Sequence, residues 1–160
     1  MLRLSNIELQ FNRASLSDDD TCEAYQYLDA YIETSHAIIK RGLIVAAIVA
    51  YSRPFLKSDG SGATPMVSLK LEKDLSPDEL ELHKKILNLR NRVAAHSDHD
   101  LRPVNRIPST GTGFGVTFVP IDQVLEELDH IEFKNLAYKT MILCKKKARE
   151  LNDKLREGDS

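Results

Sequence analysis

Apolar residues recur at helical spacing through most of the chain, and the pattern fails in two places. Ala24, Leu28, Tyr31, Ile32, Ser35, Ile38 and Ile39 follow a helical repeat. Asp18-Asp19-Asp20-Thr21 ahead of them predicts the start of that helix, because side-chain oxygens there accept from free N–H groups and acids complement the positive dipole end. The repeat runs into Leu43-Ile44-Val45-Ala46-Ala47-Ile48-Val49-Ala50-Tyr51, which is apolar on all sides. Such a run belongs at the centre of a core or in a subunit interface. Arg41-Gly42 is either a joint between two helices or a point inside one long helix, where the glycine costs about 1 kcal/mol. Pro54 stops the run, since a residue before proline avoids helical geometry.

The first failure of the pattern is the polar stretch 57–65, with Gly60, Gly62 and Pro65, which predicts a loop. Residues 66–71 read as a brief strand or extended segment. Ser76-Pro77-Asp78-Glu79 then forms a capping box with proline at the first helical position. The helix it opens runs to about His96, with Leu82, Ile86, Leu89 and Val93 as its main apolar stripe, widened by Leu80, Leu87 and Ala94.

The second failure, residues 97–120, contains Pro103, Pro108, Gly111, Gly113, Gly115 and Pro120. Structureless loops beyond about 15 residues are uncommon in compact domains and are often functional. A short strand is expected over 114–119. From Ile121 the helical pattern returns and lasts to about Arg156. Its early stripe is Ile121, Val124, Leu125, Leu128 and Ile131; its later one is Ala137, Met141, Cys144, Ala148, Leu151 and Leu155. The change of phase predicts a bend or break near Phe133, and Gly158 ends the element. Before Asp18, the alternation of Leu2, Leu4, Ile7 and Leu9, followed by Phe11, reads as a short strand or a docked arm. The expected architecture is all-α, a single domain over 1–160, built as a bundle of four to five helices with a long loop after the capped helix.

Composition narrows this picture. A chain of 160 residues suffices for one well-buried core and is short for two. The net charge of -2 and pI near 6 exclude a uniformly basic nucleic-acid binder, so any phosphate-binding surface must be local. Cys22 and Cys144 stand alone, as reduced core thiols of a cytoplasmic protein do. No secretion signal is evident at the N-terminus. The apolar run of about ten residues falls short of the roughly twenty that cross a bilayer, so no membrane association is expected.

Candidate chemistry concentrates in Leu89-Arg90-Asn91-Arg92-Val93-Ala94-Ala95-His96-Ser97-Asp98. On ideal helical geometry Arg90 and His96 lie about 120° apart, flanking the apolar stripe on either side. A dimer through that stripe would bring Arg90 and His96 of two chains into one cleft; alternatively, a helix ending before His96 frees the ring to swing toward Arg90. A histidine of near-neutral pKa serves as general base and then acid. Arginine offers a planar fork of donors to a phosphate and to charge developing in a transition state. Asn91 would orient the phosphate or the imidazole, with Arg92 and Arg53 as further supporting cations. Arg53 reads first as a structural cap at its helix end and second as a phosphate contact.

An arginine followed by a polar residue, then a histidine a few positions on, near a helix end in a small all-α domain, resembles the motif of HEPN domains. Arg90-Asn91, then four residues to His96, carries the resemblance. It implies a metal-independent endoribonuclease of a bacterial toxin–antitoxin or phage-defence type. It also implies a homodimer, with RNA as substrate and sometimes a regulatory protein partner. Other HEPN members bind nucleotides or RNA without cleaving, or only mediate assembly, so a non-catalytic dimerisation or binding module is the alternative.

The remaining features have plainer readings. His96, His99 and Asp100 lack the distant ligand pair that a metal site needs, so no metal or other cofactor is expected. Gly111-Thr112-Gly113-Phe114-Gly115 lacks the Lys-Ser/Thr of a phosphate loop and reads as a turn. Lys145-Lys146-Lys147 with Arg149 reads as a solvated helix face. His36 and His83 read as satisfied structural histidines, with His36 retaining a minor reading in the central cleft.

Overall fold

The computed structural model describes residues 5–56, 69–94, 105–107, 115–117, 125 and 128–158. Among the described residues four α-helices form an all-α bundle: α1 (Asn6–Glu33), α2 (Ala37–Ser52), α3 (Pro77–Ala94) and α4 (His130–Gly158). Within the stretch 97–120, which was expected to be a loop, Asn105–Ile107 (β1) pairs antiparallel with Gly115–Thr117 (β2), Arg106 opposite Val116. The second of these strands falls inside the expected 114–119.

The first helix begins earlier than Asp18. Ser5 caps it: its hydroxyl accepts from Glu8 N at 3.2 Å, and the Glu8 carboxylate accepts from Ser5 N at 2.6 Å. This reciprocal pair satisfies two free N–H groups, so from residue 5 the N-terminal segment enters a helix, not a strand or arm. Asp18, Asp19 and Asp20 lie in mid-helix. Asp18 reaches Lys145 of α4 at 3.8 Å, and Asp20 reaches Arg53 at 3.0 Å.

The chain breaks at Thr34–His36, not at Arg41-Gly42. Gly42 lies inside α2 on an exposed face, and an added Cβ there would meet nothing within 4 Å. Because the turn comes at 34–36, Ile38 and Ile39 are not core positions: they are 77% and 51% exposed. His36 is the exposed N-cap of α2 and makes no side-chain capping bond, contrary to its expected structural role.

Ile44, Ala47, Ile48, Ala50 and Tyr51 of the apolar run are buried in one cluster with Leu28, Ile86, Leu89, Phe133 and Leu136. Burying each large side chain of this kind contributes about 1.5–3 kcal/mol. Ring edges fix the centre: Tyr51 meets Phe133 at 5.4 Å nearly perpendicular, and Phe55 meets His83 at 4.5 Å.

The capping box at α3 forms as expected, with Ser76 N donating to Glu79 at 2.7 Å and Glu79 N to Ser76 Oγ at 3.3 Å. Ahead of it, residues 69–71 are irregular and Glu72–Asp74 form a 3-10 turn, so no strand occupies the described part of 66–71. The bend or break expected near Phe133 is a break at Asp129, whose carboxylate accepts from Ile131 N and Glu132 N and starts α4. Phe133 is therefore a fully buried first-turn residue, whereas Ile131 points outward at 48% exposure. Leu125 and Leu128, just before the break, are buried.

Helices α1 and α4 run antiparallel along their whole length. Asp29 pairs with Lys134, the rings of Tyr25 and Tyr138 lie 5.6 Å apart, and Asp18 reaches Lys145. Small buried side chains on α1, Ala14, Ser17, Thr21 and Ala24, allow this close packing. Ser17 and Thr21 return their hydroxyl protons to carbonyls of their own helix at 2.7 Å, so neither is left unsatisfied. Cys144 is buried against this seam, which pushes its thiol up to about 12; Cys22 is half-buried, and both are free thiols. No helix among the described residues is long and apolar enough to cross a membrane.

Candidate functional site at the end of helix α3

Tyr51 near the end of α2 and Phe55 just beyond it both meet His83, so α3 starts where α2 ends and carries the chain away from that point. The α3 side that faces the core holds His83, Ile86 and Leu89, exposed by 3%, 0% and 3%. His83 is the satisfied structural histidine expected of it: Nδ1 and the Tyr51 hydroxyl share a hydrogen bond of 2.9 Å. Burial holds the imidazole below its ordinary value and pushes the Tyr51 phenol above its own. This buried pair orients α3 on α2.

Two turns beyond His83, α3 presents Arg90 half-buried and Asn91 exposed. Arg90 Nη1 donates to Asn91 Oδ1 at 3.2 Å, and Arg90 has no carboxylate partner among the described residues. The carboxamide thus steadies the guanidinium without neutralising it. Arg92 belongs to the last turn of α3. His96, with His99 and Asp100, lies outside the described residues.

Of the stripe between the two motif residues, Ile86 and Leu89 are spent inside this chain, in the same core cluster as α2, and Leu82 packs against that cluster. A dimer formed through that stripe would have to open the core, as would one formed through the buried positions of 43–51.

Arg53 stands apart from Arg90. It follows α2 directly, at the level of the first turns of α3, and its Nη1 meets Asp20 at 3.0 Å and Glu23 at 2.6 Å. Both carboxylates raise its pKa, that of Asp20 the more. Arg53 is the C-cap of α2, as the sequence suggested, with its N–H donating to Ala50 O, and Arg13 of α1 completes that helix end. Arg13 Nη2 donates to the carbonyls of Arg53 and Pro54, each at 2.7 Å, and of Leu56 at 3.2 Å. Nothing local in the sequence marks Arg13, since its partners lie about forty residues away.

Among the described residues no group of three or more His, Cys, Asp or Glu side chains is placed to hold a metal ion. No family model, curated protein or solved structure matches the chain.

Proposed function

We propose that this protein is a HEPN-like ribonuclease that cleaves RNA without a metal, with Arg90 and His96 as its catalytic pair. The observation that supports the reading is the state of Arg90. It stands near the C-terminal end of a capped helix in a small helical bundle, steadied by Asn91 and with no carboxylate partner among the described residues. An uncompensated, positioned guanidinium is what a phosphodiester requires.

In the proposed reaction the 2′-oxygen attacks the adjacent phosphorus and the P–O5′ bond breaks. His96 takes the 2′-hydroxyl proton, and a proton is returned to the departing 5′-oxygen. Arg90 holds the non-bridging oxygens as their charge grows. The products are a 2′,3′-cyclic phosphate and a 5′-hydroxyl, with atoms and charge balanced and no cofactor consumed. Arg92, in the last turn of α3, supplies a further phosphate contact. Arg53 stays a supporting cation of the fold, since two carboxylates already engage it.

The test is RNA cleavage by the purified protein in EDTA, beside folded Arg90→Ala and His96→Ala variants. Cyclic-phosphate ends that disappear in both variants support the reading. Equal cleavage by wild type and variants overturns it, and absence of cleavage across varied RNAs transfers the site to the binding-module alternative. The proposal includes a homodimer and, as the resemblance implies, a regulatory protein partner in a toxin or defence setting. Sedimentation at micromolar concentration tests the dimer, and a monomer would require one chain to supply both groups.

A further inference from the structure

A second basic site lies at the opposite end of α3. A cavity of about 470 Å³ opens between the first turns of α1, the segment just before α3, and the last turns of α4. It is separated from Arg90 by most of the length of α3, about 20 Å at 1.5 Å per residue. Its volume falls in the range of small-molecule sites, roughly 300–1,000 Å³.

The charge lining it is unlike that of the whole molecule. Arg13, Lys70, Lys73, Lys146 and Lys147 contribute cations, against the carboxylates of Asp74 and Glu150. The chain as a whole carries a net charge of -2. Lys147 pairs with Glu150 at 4.0 Å on the same helix. Lys70, Lys73 and Lys146 make no ion pair or hydrogen bond with any described residue. They reach the cavity from two separate elements, so their repulsion is held in place by the fold.

Arg13 also lines the cavity, and its guanidinium is only partly engaged by the fold. The residue is 95% buried, given its 5% exposure, and while Nη2 is saturated by carbonyls its Nε–H is buried with no acceptor. A buried donor of this kind is costly to leave unmade. Burial also pulls the guanidinium pKa down, consistent with a cation that lacks a full counter-charge. Leucines complete the walls: Leu71 and Leu151 are nearly buried and Leu143 partly so, which gives a ligand an apolar surface beside the cations.

We infer that this cavity binds the polyphosphate group of a small molecule, with Lys70, Lys73 and Lys146 as its charge partners and Arg13 at its floor. Five cations around one space exceed what its two carboxylates can neutralise, and lysine binds phosphate as a point charge. The site is independent of RNA cleavage at the α3 end. Two sources carry such a group, a free polyphosphate chain and a nucleoside triphosphate.

Calorimetric titration of the full chain with sodium tripolyphosphate, ATP and adenosine, without magnesium, tests the inference. Tripolyphosphate and ATP bind and adenosine does not; equal affinities identify the bare polyphosphate as sufficient, and tighter ATP shows that the leucine walls take the nucleoside. The exposed double variant Lys73→Gln/Lys146→Gln, whose fold circular dichroism checks, weakens binding at least tenfold, while Arg90→Ala leaves it unchanged. Failure of both anions to bind at millimolar concentration overturns the inference. So does an affinity unchanged in the double variant, or one lost in Arg90→Ala.

Discussion

Arg13 and Arg90 belong to the same residue type in the same small bundle, and the fold treats them in opposite ways. Arg13 is buried, and one of its nitrogens is shared among three carbonyls where α2 ends. Arg90 is half-buried and touches one neutral carboxamide on its own helix. The first arginine closes a helix end that would otherwise expose unsatisfied acceptors. The second makes no comparable contact among the described residues, and its charge is assigned to a ligand in the proposed reaction. The two differ in engagement and not in residue type.

The sharpest way to break this contrast is to remove Arg13. Arg13→Met leaves three carbonyls without their donor and should cost about 3 kcal/mol in urea unfolding. A loss below about 1 kcal/mol would show that water replaces the guanidinium and that the clamp is ornamental.

Next in size is the Tyr51–His83 pair beneath the α3 site. Tyr51→Phe strands a buried ring nitrogen and should cost about 1–2 kcal/mol. The pair also predicts a pH dependence. Burial depresses the His83 pKa in the folded state, so the unfolded chain takes up its proton first as the pH falls. Stability from this ring is complete above its ordinary value of 6.5 and declines as the pH drops from there to the folded value. In His83→Gln the same melting series should lose that slope.

Arg53→Gln should have a smaller effect. Its bonds to Asp20 and Glu23 are charge-assisted, but the side chain is 49% exposed. Exposed pairs of this kind contribute about 0.2–1 kcal/mol, and added salt should shrink the difference further. Arg90→Ala should move the melting transition least, within about 0.5 kcal/mol, while abolishing RNA cleavage. A large destabilisation by Arg90→Ala would erase the contrast and return Arg90 to the structural class.

What the sequence disclosed follows the range of the interactions involved. Ser76-Pro77-Asp78-Glu79 places every partner within four residues, and the helix start it predicts is where it stands. Ser5-Asn6-Ile7-Glu8 carries the same capping signal, obscured by the alternation of Leu2, Leu4, Ile7 and Leu9 around it. Asp129 with Glu132 likewise marks the start of α4 by local bonding that apolar periodicity alone displaced to Phe133. Asp18–Asp20 resembled a cap because acids at a helix start and acids in a helix facing lysine and arginine look alike until the partner helices are known. The turn at 34–36 has neither glycine nor proline to announce it. The position of Arg90 and Asn91 near the end of α3 was legible from the helix that carries them. The roles of Arg13 and the lysine-lined cavity were not, because they arise only where distant segments converge.

The seam between α1 and α4 has a consequence for the order in which the protein can be made. Asp29 and Lys134 are separated by more than a hundred residues, and Phe133, Leu136 and Ala137 complete the core that α1 and α2 begin. A growing chain therefore leaves the ribosome with its first three helices lacking their principal cover. The bundle closes only after the last helix has emerged, and a message cut short within α4 yields a product with an open core. Such a chain would carry Arg90 and still lack the helix that covers the core behind it.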